Sequence, residues 1–161
     1  MPNNFPKRKT IRLQNYNYSQ EGMYFITICI NNRIPLLMNK TSLNEYVINE
    51  FGKIIQNSWN ELPKHNSGIL LNEFTIMPDH IHGIIEITDG FRTRPYNGQY
   101  LSEIVRQLKT FSARKINELR KTKGQVVWQK SYYEHVIRNE KELIEIQQYI
   151  INNIQKLYYK P

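Results

Sequence analysis

A chain of 161 residues, 40% apolar and with eleven tyrosines, is long enough to bury roughly 70% of its unfolded surface in one core, which excludes a disordered or low-complexity polypeptide. Twenty-two Lys and Arg against fourteen Asp and Glu leave a net charge of +8 and a pI near 9.5, a balance that favours a polyanionic partner such as nucleic acid. The single Cys29 rules out an internal disulfide, and no segment approaches ~18 consecutive apolar residues, so the expectation is one domain over residues 1–161, cytoplasmic and without a membrane span.

Residues 1–20 read as a basic, proline-bearing arm. Gly22 to Ile30, rich in β-branched and aromatic residues, predicts a first and central strand that ends at Asn31-Asn32. From Ser42 to about Asn60 the residues Leu43, Val47, Ile48, Phe51, Ile54, Ile55 and Trp59 recur at helical spacing, with Ser42 as N-cap, Glu45 in the capping-box position and Pro63 as the stop. Gly68 to Met77 and His80 to Ile87 predict two strands joined by a tight turn at Pro78-Asp79. Thr88 to Gly98 is polar and turn-rich and reads as a loop. Ser102 to Arg120 predicts a second helix with Ile104, Val105, Leu108, Phe111, Ile116 and Leu119 on one side and a basic outer surface. Gln125 to Ile137 reads as a fourth strand, and Asn139 caps a last helix over 139–158. The order β-α-β-β-α-β-α predicts an α+β fold: a ferredoxin-like four-stranded antiparallel sheet with two helices packed on one face, plus a C-terminal helix.

His80 and His82 alternate with apolar residues, so on a strand both imidazoles leave one face while Ile81, Ile85 and Ile87 enter the core. On the last helix, 100° per residue aligns Leu143, Ile146, Ile150, Ile154 and Leu157 in a stripe and sets Glu142, Tyr149 and Asn153 on its flank. If that helix crosses the histidine strand, the Asn153 amide can reach the same ion as the two imidazoles, and the Tyr149 hydroxyl points at whatever the ion binds. Such a ligand set leaves positions open for Mg²⁺ or Mn²⁺ to hold a phosphate oxygen, and zinc is also compatible with the ligand type. A phenol is a poor nucleophile until its proton is removed, and Lys156, farther along the helix, is the candidate helper.

Four ordered segments carry a resemblance: Arg12 with Gly22-Met23-Tyr24-Phe25-Ile26-Thr27; Met77-Pro78-Asp79-His80-Ile81-His82; Val127 to Asn139; and Tyr149-Ile150-Ile151-Asn152-Asn153. Over nearly its whole length the chain resembles the single-tyrosine HUH transposases, most closely the REP-associated tyrosine transposase group. The resemblance implies a ferredoxin-like catalytic domain that binds single-stranded or hairpin DNA, cleaves and rejoins it through a 5′-phosphotyrosine link with a free 3′-hydroxyl, and needs a divalent ion. By position, His80 and His82 match the metal-binding pair, Tyr149 the nucleophile, and Asn153 the polar residue that completes the metal site. Where relatives often follow that asparagine with proline this chain has Ile154, which allows the helix to continue to Tyr158 or Tyr159.

Arg8, Lys9, Arg12, Arg106, Lys109, Arg114 and Arg138 are candidate phosphate contacts, or solvated surface charges. Trp128, Tyr132, Tyr133 and His135 either stack on unpaired bases or sit half-buried in the sheet. Three other readings stay open: a domesticated protein that binds structured nucleic acid without productive recombination; a ferredoxin-like RNA-binding module, against which the absence of an aromatic RNP pattern counts; and a zinc hydrolase, which lacks an H-E-x-x-H or clustered carboxylates. A homodimer, with the tyrosine serving its own or a partner's site, is left open by the sequence.

Overall fold

The computed structural model describes residues 21–88 and 100–158. Four strands, β1 (Gly22–Cys29), β4 (Ile69–Met77), β5 (His80–Ile87) and β6 (Tyr133–Ile137), form one sheet in the order β4-β5-β1-β6. Every neighbouring pair is antiparallel. β1 lies inside the sheet, as its unbroken run of β-branched and aromatic residues predicts. The remaining elements are a three-residue turn of 3₁₀ helix at Asn31–Arg33, a small hairpin of β2 (Met38–Lys40) and β3 (Tyr46–Ile48), and the helices α1 (Glu50–Asn60), α2 (Leu62–His65), α3 (Tyr100–Leu119) and α4 (Glu140–Tyr158). With the small hairpin and α2 set aside, the order and sheet are those expected, and α4 is the extra C-terminal helix. Among the described residues no helix is long and apolar enough to cross a membrane.

Strand alternation gives the sheet two different faces. Tyr24, Ile26 and Ile28 of β1 and Ile81 and Ile85 of β5 are fully buried under α1 and α3, together with Ile55 and Trp59 of α1 and Leu101, Ile104 and Leu108 of α3. On the opposite face Phe25, Ile84 and Ile137 form a second, smaller cluster with Ile150 of α4, joined by Met23, Leu143 and Ile146. Burying each such large apolar side chain is worth about 1.5–3 kcal/mol relative to exposure, so these contacts dock α4 across the sheet. Of the predicted α4 stripe, Leu143, Ile146 and Ile150 meet this cluster, Leu157 packs against the larger core, and Ile154 stays exposed.

Two expectations are corrected. The helix expected from Ser42 begins only at Glu50, and Ser42 is not its cap. Asn49 is: its side chain accepts from the Phe51 and Gly52 amides at 3.0 and 3.1 Å and donates to the Leu36 carbonyl at 2.9 Å. Upstream, Asn44 takes a left-handed backbone with φ 63°, which breaks any helix and turns the β2–β3 hairpin. Leu43 and Val47, whose spacing suggested a helix face, are exposed. Nor does Pro63 stop α1; it sits in the first turn of α2, where a missing amide proton is harmless.

The fourth strand is likewise shorter than Gln125–Ile137. Residues 125–132 cross the end of β1 as an irregular segment held by a single bridge between Trp128 and Ile30 and by the Gln129 amide on the Cys29 carbonyl at 2.9 Å. Val127 and Trp128 both turn into the core, so the strand alternation that would put them on opposite faces cannot hold. The loop expected over Thr88–Gly98 lies, from residue 89 on, outside the described residues.

At the far end of β1 the chain turns sharply. Asn32 and Arg33 both take φ 56°; asparagine tolerates this conformation, whereas for arginine it costs about 1–2 kcal/mol.

Candidate active site

His80 and His82 stand on the α4 face of β5, where the alternation expected of them holds. The pairing of β1 with β5 sets Thr27 opposite His82 and Cys29 opposite His80. The two ring nitrogens Nε2 of His80 and His82 face one another at 3.1 Å, a gap that one ion bonded to both at roughly 2.0–2.1 Å spans. Their other nitrogens are engaged: His80 Nδ1 with the Asp79 carboxylate at 2.5 Å, and His82 Nδ1 with the Thr27 hydroxyl at 2.8 Å. A carboxylate can only accept, so His80 carries its proton on Nδ1 and turns the Nε2 lone pair inward, the arrangement that orients a metal-binding histidine.

His82 is also kept uncharged. Burial above all, with His80 and Arg33 acting in the same direction and Asp79 opposing them, pushes its pKa down from 6.5 to about 4. A neutral imidazole is the form that binds a cation.

α4 brings Tyr149 to this pair. Its ring meets His82 edge-on at 5.4 Å and Phe25 at 6.0 Å between centroids, and it remains 46% exposed, so its hydroxyl is within reach of a ligand. Phe25 in turn stacks on His82 at 5.5 Å. Phe25, Thr27, Arg33, His80, His82, Tyr133 and Tyr149 together line an open cleft of about 460 Å³.

The other residues singled out in the sequence are placed as follows. Asn153 lies one turn after Tyr149 and is not among the residues lining the cleft, but its side-chain nitrogen is buried with no hydrogen-bond partner among the described residues. Among the described residues no group of three His, Cys, Asp or Glu side chains suited to a metal occurs, so the amide oxygen of Asn153, whose nitrogen is the orphaned atom, is the neutral donor that the sequence offers beside the imidazoles. Lys156 is exposed and seven residues beyond Tyr149, a rise of about 10 Å along the helix; it does not line the cleft. Tyr133 does line it, and is 43% exposed.

Several candidate DNA contacts are engaged within the protein. Trp128 is buried in the larger core and donates its indole proton to Ser112 Oγ at 3.0 Å, which removes it as a base-stacking surface. Tyr132 packs against the same core. Lys109 Nζ is bound to the Gln129, Lys130 and Ser131 carbonyls at 2.9–3.3 Å, and burial lowers its pKa to about 8; it fastens the irregular segment to α3. Arg106 forms a double contact with Glu103 at 2.6 and 2.8 Å, and Arg114 lies 3.7 Å from Glu118. His135 bonds Glu142 at 2.6 Å, and the same carboxylate accepts from the Arg138 amide at 2.7 Å, leaving the Arg138 side chain exposed. Arg8, Lys9 and Arg12 fall outside the described residues.

Four residues at the site received no role from the sequence: Phe25, Thr27 and Arg33, which line the cleft, and Asp79, which holds His80 and Arg33. A carboxylate directly before a ligand histidine is a local signal, and Asp79 was open to that reading. Thr27 and Arg33 reach the site only through sheet register and a turn, which no local pattern displays.

An antiparallel sheet presenting two convergent imidazoles beneath a helix-borne tyrosine is the arrangement expected of a tyrosine transposase. The chain belongs to the IS200-like transposase family, whose model matches residues 19–153, and it therefore has a transposase role, that of an enzyme acting on DNA. Among relatives, it is 37% identical to an uncharacterised protein of Haemophilus influenzae over 91% of this chain and 87% of that protein. It is 29% identical to a provisionally named REP-associated tyrosine transposase of the same organism, over 92% and 76% respectively. The solved structure of a REP-associated tyrosine transposase bound to a REP hairpin shares the fold, with a TM-score of 0.63 at 20% identity over 90% of this chain and 73% of that one. A provisionally named transposase of Deinococcus radiodurans also shares it, with a TM-score of 0.54 at 20% identity, over 88% and 95%.

Proposed function

We propose that this protein cleaves and rejoins single-stranded or hairpin DNA through a covalent link to Tyr149. The observation that carries the reading is the position of the Tyr149 ring, edge-on against His82 and beside the facing His80 and His82 nitrogens in one open cleft. In the reaction the Tyr149 phenol gives up its proton and its oxygen attacks a backbone phosphorus. The bond from phosphorus to the 3′-oxygen breaks, and that oxygen takes a proton. One phosphodiester is thus exchanged for a 5′-phosphotyrosine and a free 3′-hydroxyl, and attack by a 3′-hydroxyl in the reverse sense rejoins a strand and releases Tyr149.

His80 and His82, with Asn153 as the third protein ligand, would hold Mg²⁺ or Mn²⁺, which when bound withdraws charge from a phosphate oxygen. Asp79 and Thr27 orient the two imidazoles. Phe25 stacks beneath His82 and keeps water from that side. Tyr133, half-exposed at the rim, offers a face on which an unpaired base stacks. The hairpin in the related solved structure and the net charge of +8 support a DNA hairpin as the substrate.

The test is incubation with end-labelled hairpin oligonucleotides that include the sequence flanking the gene, with Mg²⁺ or Mn²⁺, followed by a denaturing gel. Wild type is expected to give a labelled covalent band that chelator removes; Tyr149→Phe should lose the band while binding DNA normally, and His80→Ala should lose it as well. An adduct that persists in Tyr149→Phe would overturn the assignment, and retention of DNA by the wild type without any adduct would return the protein to the binding class.

A further inference from the structure

Arg33 is a cation in the cleft whose side chain is only partly committed. The left-handed pair Asn32 and Arg33 swings the chain back so that the guanidinium returns to the α4 face of the sheet. There its Nε donates to Asp79 Oδ2 at 2.8 Å and one terminal nitrogen donates to Cys29 Sγ at 2.7 Å. The other terminal nitrogen has no partner among the described residues, and the side chain is 49% exposed. Arg33 lines the same cleft as His80, His82 and Tyr149.

Asp79 binds Arg33 through one carboxylate oxygen and His80 through the other. A single anion thereby fixes the guanidinium relative to the imidazole pair. As a purely structural device this is a poor exchange, because a half-exposed ion pair stabilises a fold weakly while the left-handed arginine opposes it. Strain of this kind collects where geometry serves a ligand, and the planar guanidinium fork matches the oxygens of a phosphate.

We propose that Arg33 is a catalytic residue that binds the scissile phosphate, directing its remaining donors at a non-bridging oxygen whose charge grows as Tyr149 attacks. This rests on the tyrosine chemistry proposed above, and its test separates the two.

Hairpin affinity as a function of salt, single-turnover cleavage and Mn²⁺ binding by calorimetry are measured for wild type, Arg33→Ala and Arg33→Lys. The alanine variant is expected to flatten the dependence of log affinity on log salt by about 0.7–0.9, the loss of one phosphate contact. It should also slow cleavage by about 100-fold, the effect of removing one charge-stabilising donor, with Mn²⁺ affinity unchanged. The lysine variant should restore the salt dependence but only part of the rate, because it lacks the fork. An unchanged salt slope in Arg33→Ala overturns the proposal, as does a loss of cleavage matched by an equal loss of Mn²⁺ affinity, which would make Arg33 a positioning residue acting through Asp79. If the wild type forms no tyrosine adduct, the chemistry fails on its own, and the salt slope still decides whether Arg33 contacts phosphate.

Discussion

Gly83 follows His82 on β5, and the space around it predicts what a single methyl group does to the fold and the site. A Cβ added there would lie 2.4, 2.8 and 3.0 Å from three ring carbons of Trp59, against about 3.5–4.0 Å for ordinary carbon contacts. The ring therefore has to retreat by about 1 Å. It has little room to do so, being 2% exposed and stacked on Phe74 at 4.5 Å. Overpacking of this kind costs about 3 kcal/mol, and the reduced freedom of the unfolded chain on replacing glycine offsets about 0.5–1 kcal/mol. Gly83→Ala should thus lose about 2 kcal/mol, and for a domain of this size its Tm should fall by about 4–8 °C. Thermal and urea unfolding would measure both. The clash requires that Trp59→Leu relieve it, so the double variant should be more stable than the sum of the single effects by at least about 1 kcal/mol. Additivity within ~0.5 kcal/mol, or an unchanged Tm for Gly83→Ala, would refute the argument.

Two further outcomes follow from ionisable groups. His82 stays neutral in the folded protein down to a pH of about 4, while in the unfolded chain it takes up a proton near pH 6.5; it contributes nothing above pH 6.5, and the metal-free fold loses stability as pH drops from 6.5 to 4, by about 3 kcal/mol in total. Urea titrations across that window should show this loss for wild type and a smaller one for His82→Gln, and equal losses would mean that His82 is not the group responsible. Because Lys109 is engaged with three backbone carbonyls, Lys109→Met should lower stability by about 1–3 kcal/mol yet leave the salt dependence of DNA binding unchanged, whereas Arg138→Ala should leave stability unchanged. A flattened salt slope in Lys109→Met would show instead that this lysine contacts phosphate.

How far the sequence spoke depended on the range of the interaction that decided each element. β1, β4, β5, α3 and α4 were legible because alternation or helical periodicity runs uninterrupted through them, and the strand phase alone put His80 and His82 on one face. The start of α1 was misread because Leu43 and Val47 fit a helical pattern, while the deciding events were the left-handed Asn44 and the Asn49 cap. Lys109 was read as a phosphate contact or a surface charge, and Trp128 was left between base stacking and a half-buried place in the sheet, because nothing local shows that residues 125–132 cross the end of β1 into the core and are fastened to α3. The helix flank predicted for Tyr149 was sound, yet the Thr27 hydroxyl on His82 joins residues 55 positions apart, and Arg33 reaches the cleft only through two unusual backbone angles. Such contacts become visible only once the register is known.

β5 carries both the core and the chemistry on alternate residues, and this gives the protein a form of proofreading. If β5 slipped by one position against β1, Ile81 and Ile85 would face α4 and the two imidazoles would be driven beneath Trp59, so the same error that ruins the core dismantles the proposed cation site. For an enzyme acting on DNA, a misfolded copy is thereby a harmless one: the proposed cutting apparatus exists only in chains that have already closed around the right hydrophobic contacts.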